Sequence, residues 1–127
     1  MTLDRSSMSH LALGEQGEIL ALHYLKQRGY RIVARNYRCP LGEIDIIARH
    51  RGVVVFVEVK SRSSKAFGVP AMAITAAKRH KLSQVAWYYL QRHNLTDASA
   101  RFDVVSVSNI RSTPKIELIE NAFETTF

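Results

Sequence analysis

Residues 42–60 read GEIDIIARHRGVVVFVEVK, and this stretch decides the fold. Isoleucine and valine dominate residues 43–50 and 53–62, and short runs of these residues are typical of β-strands. Arg51 and Gly52 stand between the two runs and fit a two-residue hairpin loop, although Asn-Gly is the preferred pair in such a loop. The stretch therefore predicts two antiparallel strands joined by a tight turn.

The tight turn sets the register of the two predicted strands. If the residues that flank the turn pair with each other, Asp45 lies directly opposite Glu58. The same register places Glu43 opposite Lys60. Opposed side chains share a face of the sheet, with Cβ atoms about 4.5–5.5 Å apart. A shift of two residues keeps Asp45 and Glu58 on one face, whereas a shift of one residue separates them.

Two carboxylates that face each other on buried strands need a compensating cation. Lys60 is one candidate, and a divalent metal is the other, because oxygen ligands suit Mg²⁺ or Mn²⁺. A carboxylate pair, a metal that activates water and a lysine that offsets negative charge suit the cleavage of a phosphodiester. The alternative is a set of cross-strand ion pairs, Glu43 with Lys60 being the clearest. Taken alone, this short motif favours the ion pairs.

Outside the hairpin, the pattern predicts two helices and three more strands. We expect helices over residues 12–28 and 73–93, and strands over residues 30–37, 101–108 and 115–120. The order α-β-β-β-α-β-β indicates an α/β fold with one mixed sheet and helices packed on it. We expect residues 1–10 to form a flexible arm and residues 11–127 to form a single domain.

The composition excludes several classes of protein. The 127 residues are 46% hydrophobic and 23% charged, as in one ordinary globular domain. The apolar runs are only strand-length, and the first ten residues are polar, so neither a membrane span nor a signal peptide is expected. The single cysteine, Cys39, excludes an internal disulfide and a zinc site with several thiolates. These features predict a cytoplasmic protein.

The net charge of +7 is concentrated in two intervals, residues 19–42 and 59–96, that contain no acidic residue. Unbalanced basic stretches favour a polyanionic partner, of which nucleic acid is the leading candidate. The alternative is a solvated basic surface that aids solubility. If nucleic acid binds, we expect contacts that position its phosphates without reading sequence. The candidates for these contacts are Arg62, Lys65, Lys78, Arg79 and Lys81.

Four motifs together carry a resemblance to a known family. They are GEQGE at residues 14–18, GEID at 42–45, FVEVKSR at 56–62 and RFDVV at 101–105. This set resembles the YraN-like family of bacterial proteins, and its core resembles the PD-(D/E)xK nuclease superfamily. It is also similar to archaeal Holliday-junction resolvases. The resemblance implies a restriction-endonuclease-like fold and a divalent-metal-dependent DNA endonuclease, with branched or structured DNA as the preferred substrate class.

The resemblance assigns roles to the hairpin residues. Asp45 and Glu58 match the metal-binding carboxylates, and the backbone carbonyl of Val59 matches a further ligand to Mg²⁺ or Mn²⁺. Lys60 matches the catalytic lysine. One departure is visible, because Ile44 stands where the motif's name has proline.

The resemblance also reaches both predicted helices. Glu18 matches the first-helix glutamate of the resolvases, with Glu15 as the competing choice; its alternative role is that of a boundary glutamate that suits the helix dipole. Gln84 and Tyr88 resemble the Gln-x-x-x-Tyr element of RecB-like nucleases and would line a nucleic-acid groove. The alternative for both is an ordinary polar helix face.

Three functions follow as hypotheses. The first is the metal-dependent endonuclease, for which the resolvases also imply a homodimer. The second is a nucleic-acid-binding module that retains the nuclease fold without cutting, and the third is an adaptor domain whose acids are ion-paired. The intact set of Asp45, Glu58 and Lys60 favours the first. None of the five histidines shows ligand spacing, and we expect Asp103 to pair with Arg101.

Overall fold

A five-stranded mixed sheet carries a helix on each face in the computed structural model, which describes residues 11–63, 74–125 and 127. The predicted order of elements, α-β-β-β-α-β-β, is confirmed. The predicted arm at residues 1–10 lies outside the described residues. The elements are α1 (Leu13–Gln27), β1 (Arg31–Cys39), β2 (Gly42–His50), β3 (Val53–Ser61), α2 (Ala76–Arg92), β4 (Ala100–Ser108) and β5 (Lys115–Phe123).

The five described strands lie in the order β1-β2-β3-β4-β5, and among them only β3 and β4 form a parallel pair. Parallel neighbours require a crossover connection, which α2 provides. The sheet therefore has two distinct ends. We call the end where β3 finishes and α2 begins the carboxylate end, because Glu58 lies there, and the end with the Arg51-Gly52 turn the turn end.

Apolar residues cover both faces of the sheet, which explains why β2 and β3 are almost continuously hydrophobic. On one face, Ala21 and Leu25 of α1 pack on Val55 and Val57, and on the other the α2 side chains pack on Phe56. The stripe predicted for the second helix is confirmed, since its four members are all buried: Leu82, Val85, Ala86 and Tyr89. Neither described helix has the length and apolar composition to span a membrane.

Two element boundaries differ from the prediction for physical reasons. The second helix begins at Ala76, where the Thr75 side chain accepts a hydrogen bond from the Lys78 N–H at 3.1 Å and caps the first turn. The last strand continues to Phe123, past a bulge at which Asn121 adopts a φ of +50°. Side-chain pattern alone ends that strand at the polar residues of the bulge.

Candidate active site

β2 and β3 separate at the two acidic residues of the hairpin. The ladder follows the register predicted from the turn and ends at the pair formed by Ile46 and Val57. Beyond this pair, Asp45 Oδ2 accepts a hydrogen bond from the Val59 N–H at 2.8 Å, so a side chain takes the place of a backbone partner. The end of the ladder thus leaves the Asp45 carboxylate beside Glu58 at the carboxylate end.

Strict alternation along β2 breaks at Asp45. Ile44 and Ile47 both pack on the α2 side of the sheet, whereas Ile46 packs on the α1 side. Alternation would place Ile44 and Ile46 on the same side. The neighbouring strand is distorted at the same level, where Asn36 adopts a φ of +50°, a conformation that asparagine tolerates better than most residues. The orientation of the Asp45 side chain therefore depends on the local distortion of β1 and β2 and does not follow from alternation along the strand.

Asp45 and Glu58 form a tightly coupled acidic pair. Burial raises the pKa of Glu58 to about 7, the charge of Asp45 adds to this, and Lys78 and Lys60 oppose it. Burial also raises the pKa of Asp45, while the Val59 N–H and a hydrogen bond from Glu58 act in the opposite direction. Both carboxyl groups of the pair therefore hold a proton more readily than isolated carboxyl groups do.

Glu18 of α1 brings a third carboxylate to the same region. Its Oε1 is buried and, among the described residues, has no hydrogen-bond partner. Burial raises the pKa of Glu18, the charge of Asp45 adds to this, and Arg35 opposes it. Glu15, the competing choice from the sequence, is exposed. Geometry therefore favours Glu18 as the helix acid of the site.

Gly17 sets how closely α1 approaches the sheet. A Cβ atom on Gly17 would lie 2.7 Å from the Ser61 Cβ, a separation that real side chains do not adopt. The absence of a side chain thus lets α1 rest directly on the end of β3. This contact holds the adjacent Glu18 near Asp45, and it gives the GEQGE motif a structural meaning.

Two lysines face the acidic pair. Lys78, in the first turn of α2, places Nζ 4.0 Å from Glu58 Oε1. Lys60 is half-buried two residues after Glu58 on β3 and influences its pKa. The ion pair expected between Glu43 and Lys60 is replaced, because Glu43 binds Arg38 Nε at 3.0 Å across the β1–β2 hairpin. The β2–β3 ladder ends before it reaches Glu43, which leaves this residue to its other neighbouring strand.

Two clefts flank the tip of the β1–β2 hairpin next to the acidic pair, and Asp45 and Glu58 themselves line neither of them. The first, of about 430 Å³, is lined by Arg38, Lys78 and Lys81. The second, of about 470 Å³, is lined by Glu18, Arg35 and Arg38. Sequence reasoning missed Arg35 and Arg38 as site residues. The register of β1 against β2 places Arg38 opposite Glu43, and that pairing is the signal that could have identified it.

The predicted phosphate contacts are distributed unevenly. Lys81 lines the first cleft, and its stem crosses Gly42, whose added Cβ would lie 3.2 Å from Lys81 Cε. Arg79 instead donates from Nε to the Ile74 carbonyl at 3.0 Å, so it stabilises the start of α2. Lys65 lies outside the described residues. Arg62 is half-buried just after β3.

The remaining candidates lie farther along α2 and β4. Gln84 is exposed, and Tyr88 is half-buried with the Arg92 guanidinium 5.3 Å from its ring centroid. The predicted pair of Asp103 with Arg101 is confirmed, with Nε 3.0 Å from Oδ1. Asp103 therefore has its own partners and does not join the acidic pair.

Asp45 and Glu58 carry oxygen donors of the chemical type that a hard divalent cation prefers. Within residues 11–63 and 74–125, no group of three or more His, Cys, Asp or Glu side chains is arranged to hold a metal. Asp45 and Glu58 nevertheless supply carboxylate oxygens, and the unpartnered Glu18 oxygen lies near Asp45. A cation at the pair would complete its coordination with backbone oxygen and water, as Mg²⁺ usually does.

Sequence comparisons place the chain among related bacterial proteins. The profile of the uncharacterised protein family UPF0102 matches residues 17–107. A UPF0102 protein of Syntrophus aciditrophicus is 49% identical over 115 residues, which cover 91% of each chain. A UPF0102 protein of Geobacter metallireducens is 46% identical over 118 residues, covering 93% of this chain and 97% of its own.

The matched interval contains all four residues of the candidate site, Glu18, Asp45, Glu58 and Lys60. A UPF0102 protein of Caldicellulosiruptor saccharolyticus extends the similarity over 100% of its own length, at 48% identity. The YraN-like resemblance refers to this same family, and the nuclease-superfamily placement is consistent with it. The chain belongs to the UPF0102 family.

Proposed function

We propose that this protein is a divalent-metal-dependent phosphodiesterase that cuts DNA. The observation that carries the proposal is the Asp45–Glu58 pair, in which two largely buried carboxyl groups lie beside each other with Lys78 and Lys60 nearby. A structural ion-pair network would place a cation against each acid. Here Lys78 lies 4.0 Å from Glu58, whereas Asp45 accepts a hydrogen bond from the Val59 N–H, so one divalent cation between the two acids would compensate both.

The metal role rests on these oxygen donors. Asp45 and Glu58, with the Val59 carbonyl, would hold Mg²⁺ or Mn²⁺, which when bound activates water and offsets charge on the phosphate oxygens. Glu18 is the acid best placed to accept a hydrogen bond from a water molecule at the site, because its Oε1 has no partner among the described residues. Any proton held by Asp45 or Glu58 would have to leave before both carboxylates could bind the cation.

The lysines then act on the phosphate. Lys60 lies on the same strand as Glu58 and orients the attacking water or offsets the negative charge that develops in the transition state. Lys78 compensates Glu58 in the free protein at 4.0 Å and becomes available to a phosphate when the cation arrives. Arg38 and Lys81 line the adjoining cleft and would contact phosphates on either side of the cut.

The test is cleavage of a panel of linear, single-stranded and four-way-junction DNA with Mg²⁺ or Mn²⁺. Branched DNA is the preferred substrate in the proposal, because the hairpin motif is similar to that of junction resolvases. We expect cutting by the wild type, a loss of about 10²-fold or more in Lys60→Ala, and no change in Lys26→Ala, which alters an exposed lysine at the other end of α1. Equal cutting by wild type and Lys60→Ala would contradict the proposal.

The homodimer implied by the resolvases is part of this proposal. Two copies would place two cutting sites on the two strands of one junction. Sedimentation velocity of the wild type with and without a four-way junction tests it. A single copy bound to the junction would contradict the homodimer and leave the metal site unaffected.

A non-catalytic nucleic-acid-binding module is the second candidate. It is favoured by the fact that Glu58 already has Lys78 at 4.0 Å and Asp45 already accepts from the Val59 N–H without a metal. The melting temperature separates the candidates, because a ligand that binds only the folded state raises it. The hydrolase predicts that millimolar Mn²⁺ stabilises the wild type but not Asp45→Ala. The binding module predicts no stabilisation of either protein.

A further inference from the structure

A third cleft, also polar, lies at the turn end of the sheet, about 17 Å from Asp45 if each of the five steps from Asp45 to His50 adds the usual rise of a strand. The cleft has a volume of about 580 Å³ and is lined by residues of α1, β2, the tight turn and β5. Its polar walls are formed by Tyr24, Gln27, Arg28, His50, Arg51 and Glu120. None of these side chains takes part in the candidate active site.

A buried network fixes the floor of this cleft. Asp103 is fully buried and accepts hydrogen bonds from the Tyr30 hydroxyl at 2.7 Å, Arg101 Nε at 3.0 Å and the Asn121 N–H at 2.9 Å. The Arg101 guanidinium also donates to His50 Nδ1 at 2.9 Å. Because a guanidinium only donates, His50 Nδ1 must accept, and the ring carries its proton on Nε2. His50 therefore presents an N–H donor, held in place by stacking on Tyr30 at 4.0 Å.

Arg51 occupies a backbone position that does not suit it. Its φ of +52° and the +81° of Gly52 correspond to a type I′ turn, in which asparagine is strongly preferred at the first position. A long side chain in the left-handed region is disfavoured. The turn would therefore be more stable with asparagine at this position, so the arginine is not explained by the stability of the turn. What it contributes is a guanidinium on the wall of the cleft.

The cleft has an excess of positive charge and donors. Arg28 lies 4.1 Å from the Tyr24 ring centroid, so stacking limits where its guanidinium can go. Together with Arg51 and the His50 N–H, it forms a set of donors suited to a phosphate, which arginine binds with two parallel hydrogen bonds. Among the described residues of the wall Glu120 is the one acid, and the Tyr30 hydroxyl contacts it at 3.4 Å. It is placed to accept from a sugar hydroxyl or base N–H beside the phosphate.

We propose that this cleft binds a phosphate group of a nucleotide chain. The phosphate lies between Arg28 and Arg51 and accepts from the His50 N–H, and the adjoining sugar or base donates to Glu120. The site does not depend on the proposed hydrolase, because it shares no residue with the acidic pair. If both sites operate, the cleft holds nucleic acid at a fixed distance from the cut.

The experiment measures binding in EDTA, so that the metal site plays no part. Fluorescence anisotropy follows a labelled single-stranded oligonucleotide with a 5′-phosphate and the same oligonucleotide with a 5′-hydroxyl. Arg51→Asn is the informative variant, because it removes the guanidinium and supplies the residue that the turn prefers. We expect it to melt no lower than the wild type and to bind the phosphorylated oligonucleotide roughly tenfold or more weakly, the usual effect of losing a charged hydrogen bond.

Control variants separate this site from general charge effects. Arg92→Gln removes an exposed arginine from α2, on the opposite face of the sheet, and should weaken binding far less. Arg28→Gln removes the second cation of the cleft and should reproduce the loss seen in Arg51→Asn. A loss confined to the 5′-phosphate supports a site for a terminal phosphate, and an equal loss on both oligonucleotides supports a backbone phosphate. Losses in Arg51→Asn and Arg28→Gln no larger than in Arg92→Gln would overturn the proposal.

Discussion

The acidic pair predicts an unusual dependence of stability on pH, which Glu58→Gln should abolish. The folded protein raises the pKa of Glu58 from 4.5 to about 7, because the side chain is buried next to Asp45. Below pH 4.5, both the folded and the unfolded chain hold the proton. Between pH 4.5 and 7, only the folded protein does, so the free energy of unfolding falls as pH rises through this window.

The size of the effect follows from the shift. At 1.36 kcal/mol per pH unit, Glu58 lowers the free energy of unfolding at pH 8 by about 3 kcal/mol relative to pH 4. Glutamine has the same shape, cannot ionise, and donates from its amide to the Asp45 carboxylate. We therefore expect Glu58→Gln to match the wild type near pH 4 and to exceed it by about 3 kcal/mol at pH 8. For a chain of 127 residues this corresponds to about 10 °C in melting temperature.

Urea denaturation at pH 4, 6 and 8 measures these differences for wild type and variant. Glu117→Gln is the matched control, because Glu117 is an exposed glutamate on β5. The free energy of unfolding of Glu117→Gln should equal that of the wild type at each pH. If Glu58→Gln loses stability between pH 4 and 8 as steeply as the wild type does, the pair does not hold a proton in the way described.

Three further predictions concern packing, charge and binding. Gly17→Ala should lower the free energy of unfolding by about 1–3 kcal/mol, because the added methyl group overpacks against β3. Gly14→Ala is the control: its added Cβ meets nothing within 4 Å, so thermal melting should show an unchanged or higher stability. Lys78→Met should strengthen Mn²⁺ binding several-fold in calorimetry, since it removes a competing cation at 4.0 Å from the acidic pair, and unchanged affinity would contradict that role. Lys81→Ala should reduce the salt dependence of DNA binding by about one counterion in an anisotropy titration, and an unaltered slope would exclude a phosphate contact there.

The hairpin and the overall order of elements could be predicted because local signals determine them. The two residues of the Arg51-Gly52 turn fix the register of the β2–β3 ladder as far as Ile46 and Val57, and this register brings Asp45 and Glu58 to the same end of the ladder. The apolar stripe of the second helix likewise predicts which side packs on the sheet. These features depend on spacing along the chain, which the sequence states directly.

The rest depends on contacts between distant segments. The burial of Glu18 results from the approach of Gly17 to Ser61, although β1, β2 and the rest of β3 lie between these two residues in the sequence. Glu43 binds Arg38 instead of Lys60 because the β2–β3 ladder ends early, and the twist at Asn36 that accompanies this has no clear pattern signal. The cleft at the turn end is likewise assembled from four elements, so no single motif reveals it.

The central claim is that the Asp45–Glu58 pair exchanges its proton for a divalent cation. Calorimetric titration with Mn²⁺ at pH 6, repeated in buffers of different ionisation enthalpy, measures both the binding and the protons released. We predict one site that releases about one proton per Mn²⁺ in the wild type and is lost in Asp45→Asn. Binding that persists in Asp45→Asn, or that releases no proton, would contradict the claim.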